Sequence, residues 1–327
     1  MGLSPRRCWN DESGDCMKNS WKDSIYLQRE ELARKLREPL AHLAERCAPA
    51  WGDREKLNAL LMEGFASIPY CTFLYCLTGE GVQICDNVGD AGIVPEHFGR
   101  DRSQRPYMKE VVPSWGFLLS DAYISLLSRR PSLTALQIVR ADGHVLGYLG
   151  ADFDLRNLPV TAELYHEPGY WMQVKGDPAI RSTVFLQSRT ESPLDRNMDQ
   201  ALSILEELLT HRGVFQCIIH FSSSRATIWT VDDPFIYHML DHEALNDPDV
   251  CMLFPPHPYP SNAAIDEVDI RRILDTMQSL RLADPTIYLR TASINIFNGM
   301  ISLTFSCDGS HYMPHVEFLL KDTSFWF

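Results

Sequence analysis

Leu133-Thr-Ala-Leu-Gln-Ile-Val-Arg140, Ala141-Asp-Gly-His144 and Val145-Leu-Gly-Tyr-Leu-Gly-Ala-Asp-Phe153 follow one another without interruption. Two apolar-rich runs flank an Asp-Gly, a dipeptide that tolerates the positive φ of a tight turn, so the stretch predicts an antiparallel hairpin. Period two then places Tyr148, Gly150 and Asp152 on one face of the second strand, with Gly150 leaving room beside its neighbours. A carboxylate between Ala151 and Phe153 is costly to bury unless a cation or a ligand answers it. The hairpin therefore defines a sheet and marks Asp152 as a candidate site residue.

Upstream, Gly116–Ser125 has strand character, and the same alternation puts Asp121, Tyr123 and Ser125 on one face. Arg105–Val112 is expected as a short helix with Pro106 in its first turn, after a loop with glycines at 89, 92 and 99. Cys71–Leu77 and Val82–Asp86, joined by Thr78-Gly-Glu-Gly81, predict another hairpin. Before it, Leu32, Leu36, Leu40 and Leu43 mark one face of a helix that starts at Trp21 and is expected to kink at Pro39. After Ala48-Pro-Ala50, Asp53 caps a second helix carrying Leu57, Leu60, Leu61 and Phe65. The leucine stripe either covers the protein's own sheet or forms a dimer seam. Strands at both ends with a helix and loop between them argue for one antiparallel sheet rather than a βαβ array.

Downstream, residues 154–193 hold Pro159, Pro168, Pro178 and Pro193 and are expected to contain a domain boundary. Leu194–His211 then predicts a helix stopped by Gly213, followed by a hairpin of Val214–Phe221 and Ala226–Val231 across Ser222-Ser-Ser-Arg225. A Pro-dense loop at 254–260 is expected to be exposed and extended. Asp266–Leu282 is another amphipathic helix, and Ser293–Phe297 and Met300–Ser306 flank Asn298-Gly299 as a further hairpin. The expected fold class is α+β: a flexible tail at 1–20, a sheet module at 21–160, and a second α+β domain at 165–327.

Composition narrows function. The 327 residues are 45% hydrophobic and 22% charged, as in a globular protein, with 30 Lys plus Arg against 43 Asp plus Glu and a net charge of −13. That balance repels phosphate backbones and acidic lipid, so nucleic acid is not an expected partner. No window approaches the ~20 apolar residues of a membrane span, and the start lacks the apolar core of a secretory signal. Nine cysteines, an odd count with no C-x-x-C pair, fit a reducing cytoplasm. No dinucleotide, Walker A, nucleophile-elbow or zincin motif is present, and no cofactor or metal is expected. His238-Met-Leu-Asp-His242 would need a helix and a third ligand to grip a metal, and Asp232-Asp233-Pro234 reads as a turn and N-cap. Asp232, His238 and His242 nevertheless form the alternative, enzymatic reading. His311 and His315, on a strand, would stand about 13 Å apart.

One series of segments stands out: Gly99-Arg-Asp-Arg-Ser-Gln-Arg-Pro-Tyr107, Ser120-Asp-Ala-Tyr-Ile-Ser125, Leu133-Thr-Ala-Leu-Gln-Ile-Val139, Asp142-Gly-His-Val-Leu-Gly147 and Gly150-Ala-Asp-Phe-Asp-Leu155. In order and spacing it resembles the extracytoplasmic Cache family, PAS-like ligand-binding domains of chemoreceptors and sensor kinases, over about residues 22–160. The resemblance implies a long N-terminal helix, a PAS-like sheet carrying the ligand, pairing of two copies along that helix, and a diverged second module as one reading of 165–327. Against the amino-acid-binding double-Cache pattern, Arg105 matches the arginine for the ligand carboxylate, Tyr107 stands where Trp is usual, and Tyr123 matches the tyrosine. Ser125 stands where Asp is usual, and Asp152 matches the last acid, which holds the amino group. From the residues themselves, Arg105 is a rigid fork suited to a carboxylate, and Asp121 lies on the face predicted for Tyr123. The expectation is a small-molecule sensor without enzymatic activity. It would bind a carboxylate, amine or amino-acid-like ligand, signal through a partner protein and form a homodimer; an interaction protein with a vestigial pocket is the other alternative.

Overall fold

The computed structural model describes residues 21–110, 112–113, 115–126, 128–162, 188–307, 309–321 and 325–326. The expected tail at 1–20 and most of the expected connector, 163–187, lie outside the described residues. The chain begins with helix α1, Trp21–Cys47, which runs through Pro39 without interruption. Asp53 caps α2, Arg54–Gly64, by accepting the Lys56 N–H at 3.2 Å.

The first sheet contains β1 (Phe73–Thr78), β2 (Asn87–Gly89), β3 (Gly92–Val94), β4 (Phe117–Leu119), β5 (Tyr123–Ile124), β6 (Pro131–Ala141) and β7 (His144–Asp154). Its order is β3-β2-β1-β7-β6-β4, all antiparallel, with β5 also paired to β6. The β6–β7 turn has Asp142 at φ 50° and Gly143 at φ 78°, the two positive values that match strand twist in a two-residue hairpin.

Alternation divides this sheet into two faces. Leu74, Cys76, Leu133, Ala135, Val139, Leu149, Ala151 and Phe153 are fully buried on the face that α1 covers. Leu32, Leu36, Leu40 and Leu43 are likewise at most 1% exposed within the single chain. The expected dimer seam is corrected accordingly: one stripe of about 100° cannot serve two surfaces, and this one belongs to the core.

Three further expectations are corrected. On the side away from β7, the strand partner of β1 is β2, and Val82–Asp86 contributes only the isolated bridges Leu77↔Gln83 and Val82↔Asp101. Among the described residues of 105–112 there is one 3-10 turn, Pro106–Met108, rather than a helix. Gly116–Ser125 is broken into β4 and β5 because the Ala122 N–H donates to the Asp249 carboxylate at 3.2 Å rather than to a strand.

The second half opens with α3 (Pro193–Arg196) and α4 (Met198–His211), stopped at Gly213 with φ 70°. Its sheet comprises β8 (Val214–His220), β9 (Arg225–Thr230), β10 (Tyr237–Leu240), β11 (Leu289–Asn295), β12 (Met300–Phe305) and β13 (Ser310–Pro314), with α5 (Glu267–Leu282) and α6 (His315–Leu320). The order β10-β9-β8-β11-β12-β13 is antiparallel throughout. At Asn298-Gly299 only Gly299 has positive φ, and its N–H bonds to Asn295 across a four-residue loop, so this hairpin is wider than a two-residue turn. The Pro-dense loop is only partly exposed, since Phe254 is buried.

The two sheets share one apolar core and are tied by polar contacts. Gln28 of α1 donates to the Met252 carbonyl at 2.9 Å, and Arg156 reaches the buried Glu207 at 2.7 Å. The fold is α+β: a long helix, a seven-stranded antiparallel sheet, then a six-stranded antiparallel sheet with its own helices. No helix among the described residues is long and apolar enough to cross a membrane.

Candidate functional site

The face of the first sheet opposite α1 carries polar and aromatic residues. Asp152 pairs with Thr134 on one side and Phe73 on the other, while Gly150 pairs with Tyr75 and Leu136. A Cβ on Gly150 would meet the Tyr75 ring at 2.4 Å, so the missing side chain is the space in which that ring lies. The connection from β3 to β4 folds over this face and delivers Arg102 and Tyr107.

These residues form one network. The Tyr75 and Thr134 hydroxyls each donate to Asp152 Oδ1 at 2.7 Å. Thr134 has one proton, so in its 2.7 Å contact with Tyr123 the tyrosine is the donor. Arg102 is 5% exposed. Its Nε donates to Gln83 Oε1 at 2.9 Å and its Nη2 to Asn87 Oδ1 at 3.0 Å, while Nη1 lies 3.4 Å from the Tyr107 hydroxyl. The guanidinium stacks 3.9 Å from the Tyr75 ring centroid and approaches Asp152 Oδ2 to 3.7 Å.

Burial and then the Asp152 charge push Tyr75 and Tyr123 well above the ordinary tyrosine pKa, and the same two causes raise Tyr107. All three therefore remain neutral donors at physiological pH. Burial works against the Arg102 charge, but the facing Tyr75, Asp152 and Tyr107 outweigh it and raise its pKa. The site thus has a fixed cation inside, a carboxylate with one oxygen doubly hydrogen-bonded, and 21% of the Asp152 side chain still exposed.

Of the residues singled out from sequence, the structure brings Tyr107, Tyr123 and Asp152 together; the two tyrosine rings lie 5.8 Å apart. Arg105 is half-buried, and its charge is felt at Tyr123. Its guanidinium has no hydrogen-bond or ion-pair partner among the described residues, and the buried partner of Asp152 is Arg102 instead. Asp121 is not brought to the site: it lies between β4 and β5, where alternation no longer holds, and its exposed carboxylate pairs with Arg29. Ser125 lies just past β5, and the Arg129 N–H closes a turn onto its carbonyl.

Sequence reasoning missed Tyr75, Arg102 and Thr134. Thr134 was recoverable from alternation against Asp152, and Tyr75 from a glycine opposite a bulky aromatic. Arg102 was not, because Arg100, Arg102 and Arg105 are equivalent in composition and only the loop path separates them. The helical metal grip is corrected in geometry: His238 lies on β10, not on a helix, so His238 and His242 do not share a helical face. Among the described residues, no group of three or more His, Cys, Asp or Glu is placed to hold a metal ion.

No family model matches the chain. Solved structures similar to it include an extracellular ligand-binding receptor from Desulfohalobium retbaense, 14% identical over 42% of this chain and 25% of that one, with a TM-score of 0.33. The sensory domain of the Campylobacter jejuni chemoreceptor Tlp3 with isoleucine bound is 13% identical over 41% and 59%, with a TM-score of 0.30. The ligand-binding domain of the Pseudomonas fluorescens chemoreceptor CtaA in complex with L-alanine is 17% identical over 42% and 57%, with a TM-score of 0.31. The match spans between a quarter and three-fifths of the length of these proteins.

Proposed function

We propose that the Asp152 site binds a small amine or amino-acid-like zwitterion, and that the protein is a small-molecule sensor acting through a partner protein. The observation that carries this reading is a hydrogen-bonded, partly exposed Asp152 carboxylate beside the Tyr107–Tyr123 rings, with the charge of the half-buried Arg105 felt at Tyr123. An ammonium group meets the open side of Asp152, a carboxylate meets the Arg105 fork, and the rings flank the body of the ligand. Tyrosines with raised pKa values are poor nucleophiles, which favours binding over catalysis. We further infer a reducing, cytoplasmic setting: the seven cysteines among the described residues are all free, although the Cys76 N–H already touches the Cys85 sulfur at 3.1 Å.

Calorimetry with L-valine, isobutylamine and isovalerate separates the two charges on one hydrocarbon body. Asp152→Asn is expected to weaken L-valine and isobutylamine by about tenfold to a hundredfold and to leave isovalerate nearly unchanged. Arg105→Gln is expected to do the converse. Equal weakening of all three ligands by either variant refutes the assigned roles.

A further inference from the structure

A second concavity lies between the start of α1 and the β9–β10 edge of the second sheet, with a cavity volume of about 480 Å³. That is within the range of small-molecule sites, about 300–1,000 Å³. Leu240, Ala244, Val250, Leu253 and Phe254 line it and are buried, and the half-buried Trp21 adds an aromatic wall.

The charges around this cavity are unequal. Arg212 lines it but is committed to the fold: its Nη atoms donate to the Phe254 carbonyl at 3.1 Å and the Leu155 carbonyl at 2.7 Å, and Glu207 answers its charge. Lys22 lies over the Trp21 ring and pairs with Glu243 at 2.8 Å. His238 sits edge-on to Phe254. Asp241 accepts the Ala244 N–H at 3.0 Å, so part of its capacity is used. Asp232 and Asp233 are exposed lining residues, and their carboxylates have no hydrogen-bond or ion-pair partner among the described residues. An apolar floor with aromatic walls below unanswered negative charge is the complement of an amphiphilic cation.

We propose that this cavity is a second ligand site, taking an organic monocation with an aromatic body, its ammonium at Asp232 and Asp233 and its ring against Trp21 and Phe254. The proposal is independent of the Asp152 site. It turns the region that sequence offered for catalysis into a recognition site, and occupancy there would couple the first turn of α1 to the second sheet.

Tryptamine is the probe, titrated calorimetrically into the full chain, with indole-3-propionate as the control of opposite charge. Tryptamine is expected to bind at least tenfold more tightly than indole-3-propionate. The double variant Asp232→Asn, Asp233→Asn should weaken tryptamine by about tenfold, and because both positions are exposed the fold should be unaffected. The titration is repeated in the Asp152→Asn background, which removes amine binding at the first site, and there tryptamine should still bind with the same dependence on Asp232 and Asp233. The proposal is overturned if tryptamine gives no heat at millimolar concentration, if the two probes bind alike, or if the loss follows Asp152→Asn rather than the Asp232/Asp233 pair.

Discussion

The two antiparallel sheets treat polar residues in opposite ways. Along β6, seven consecutive residues from Pro131 to Gln137 are buried, because α1 covers one face and the β3–β4 connection covers the other. Along β9 and β12, half-buried and buried residues alternate strictly. Thr227 and Ser302 on the second sheet keep access to water, whereas Thr134 on the first is fully buried and its hydroxyl is answered by the partly exposed Asp152. A polar residue on a sheet becomes a site when a second layer takes away its water, since an unpaired buried polar group costs several kcal/mol. The difference lies in the covering loop rather than in the composition of the strands.

Arg102→Met tests this contrast most severely. It removes the hub that bonds Gln83 and Asn87 and stacks on Tyr75, leaving both amides and Asp152 without their cation. The expected loss is about 3–5 kcal/mol in denaturant unfolding, against less than about 0.5 kcal/mol for Thr227→Ala on the half-open sheet. If the two losses are similar, enclosure by the loop is not what distinguishes the sheets.

The seam between the halves gives the next effect. Asp249 is buried beside Arg29, Asp247 and Ala122; burial, opposed in part by Arg29 and reinforced by Asp247, lifts its pKa to about 7. A raised folded-state pKa means that the folded chain holds the proton more tightly than the unfolded one. The stabilising contribution is therefore complete below about pH 4 and is lost as pH rises through about 7. Asp249→Asn should flatten the stability profile between pH 4 and 8 by about 2–4 kcal/mol relative to the native chain. Parallel profiles for the two proteins would show that Asp249 does not titrate in this range.

Gly150→Ala should have the smallest effect. Its Cβ would displace the Tyr75 ring, at a cost of about 1–3 kcal/mol, and loosen the Tyr75 bond to Asp152. Gly79, whose added Cβ meets nothing within 4 Å, provides the contrasting position, and Gly79→Ala should be nearly neutral. A neutral Gly150→Ala would mean that the ring has room to move and that the site is less fixed than its contacts imply.

Sequence alone determined the elements whose signal is local. Asp142-Gly143 fixed the β6–β7 turn because few residues accept positive φ, and alternation placed Asp152 on a face with Gly150. The Leu32–Leu43 spacing determined a helix face, and Asp53 its successor's cap. Tertiary structure decided what those faces meet. Only the folded chain shows that α1 lies on its own sheet, that the Ala122 N–H turns to Asp249 and breaks the expected strand, and that Arg102 rather than Arg105 enters the core. Local periodicity records which way a side chain points from its own backbone. Whether another segment answers it depends on contacts distant in sequence, such as the 50 residues between Arg102 and Asp152, which no local pattern encodes.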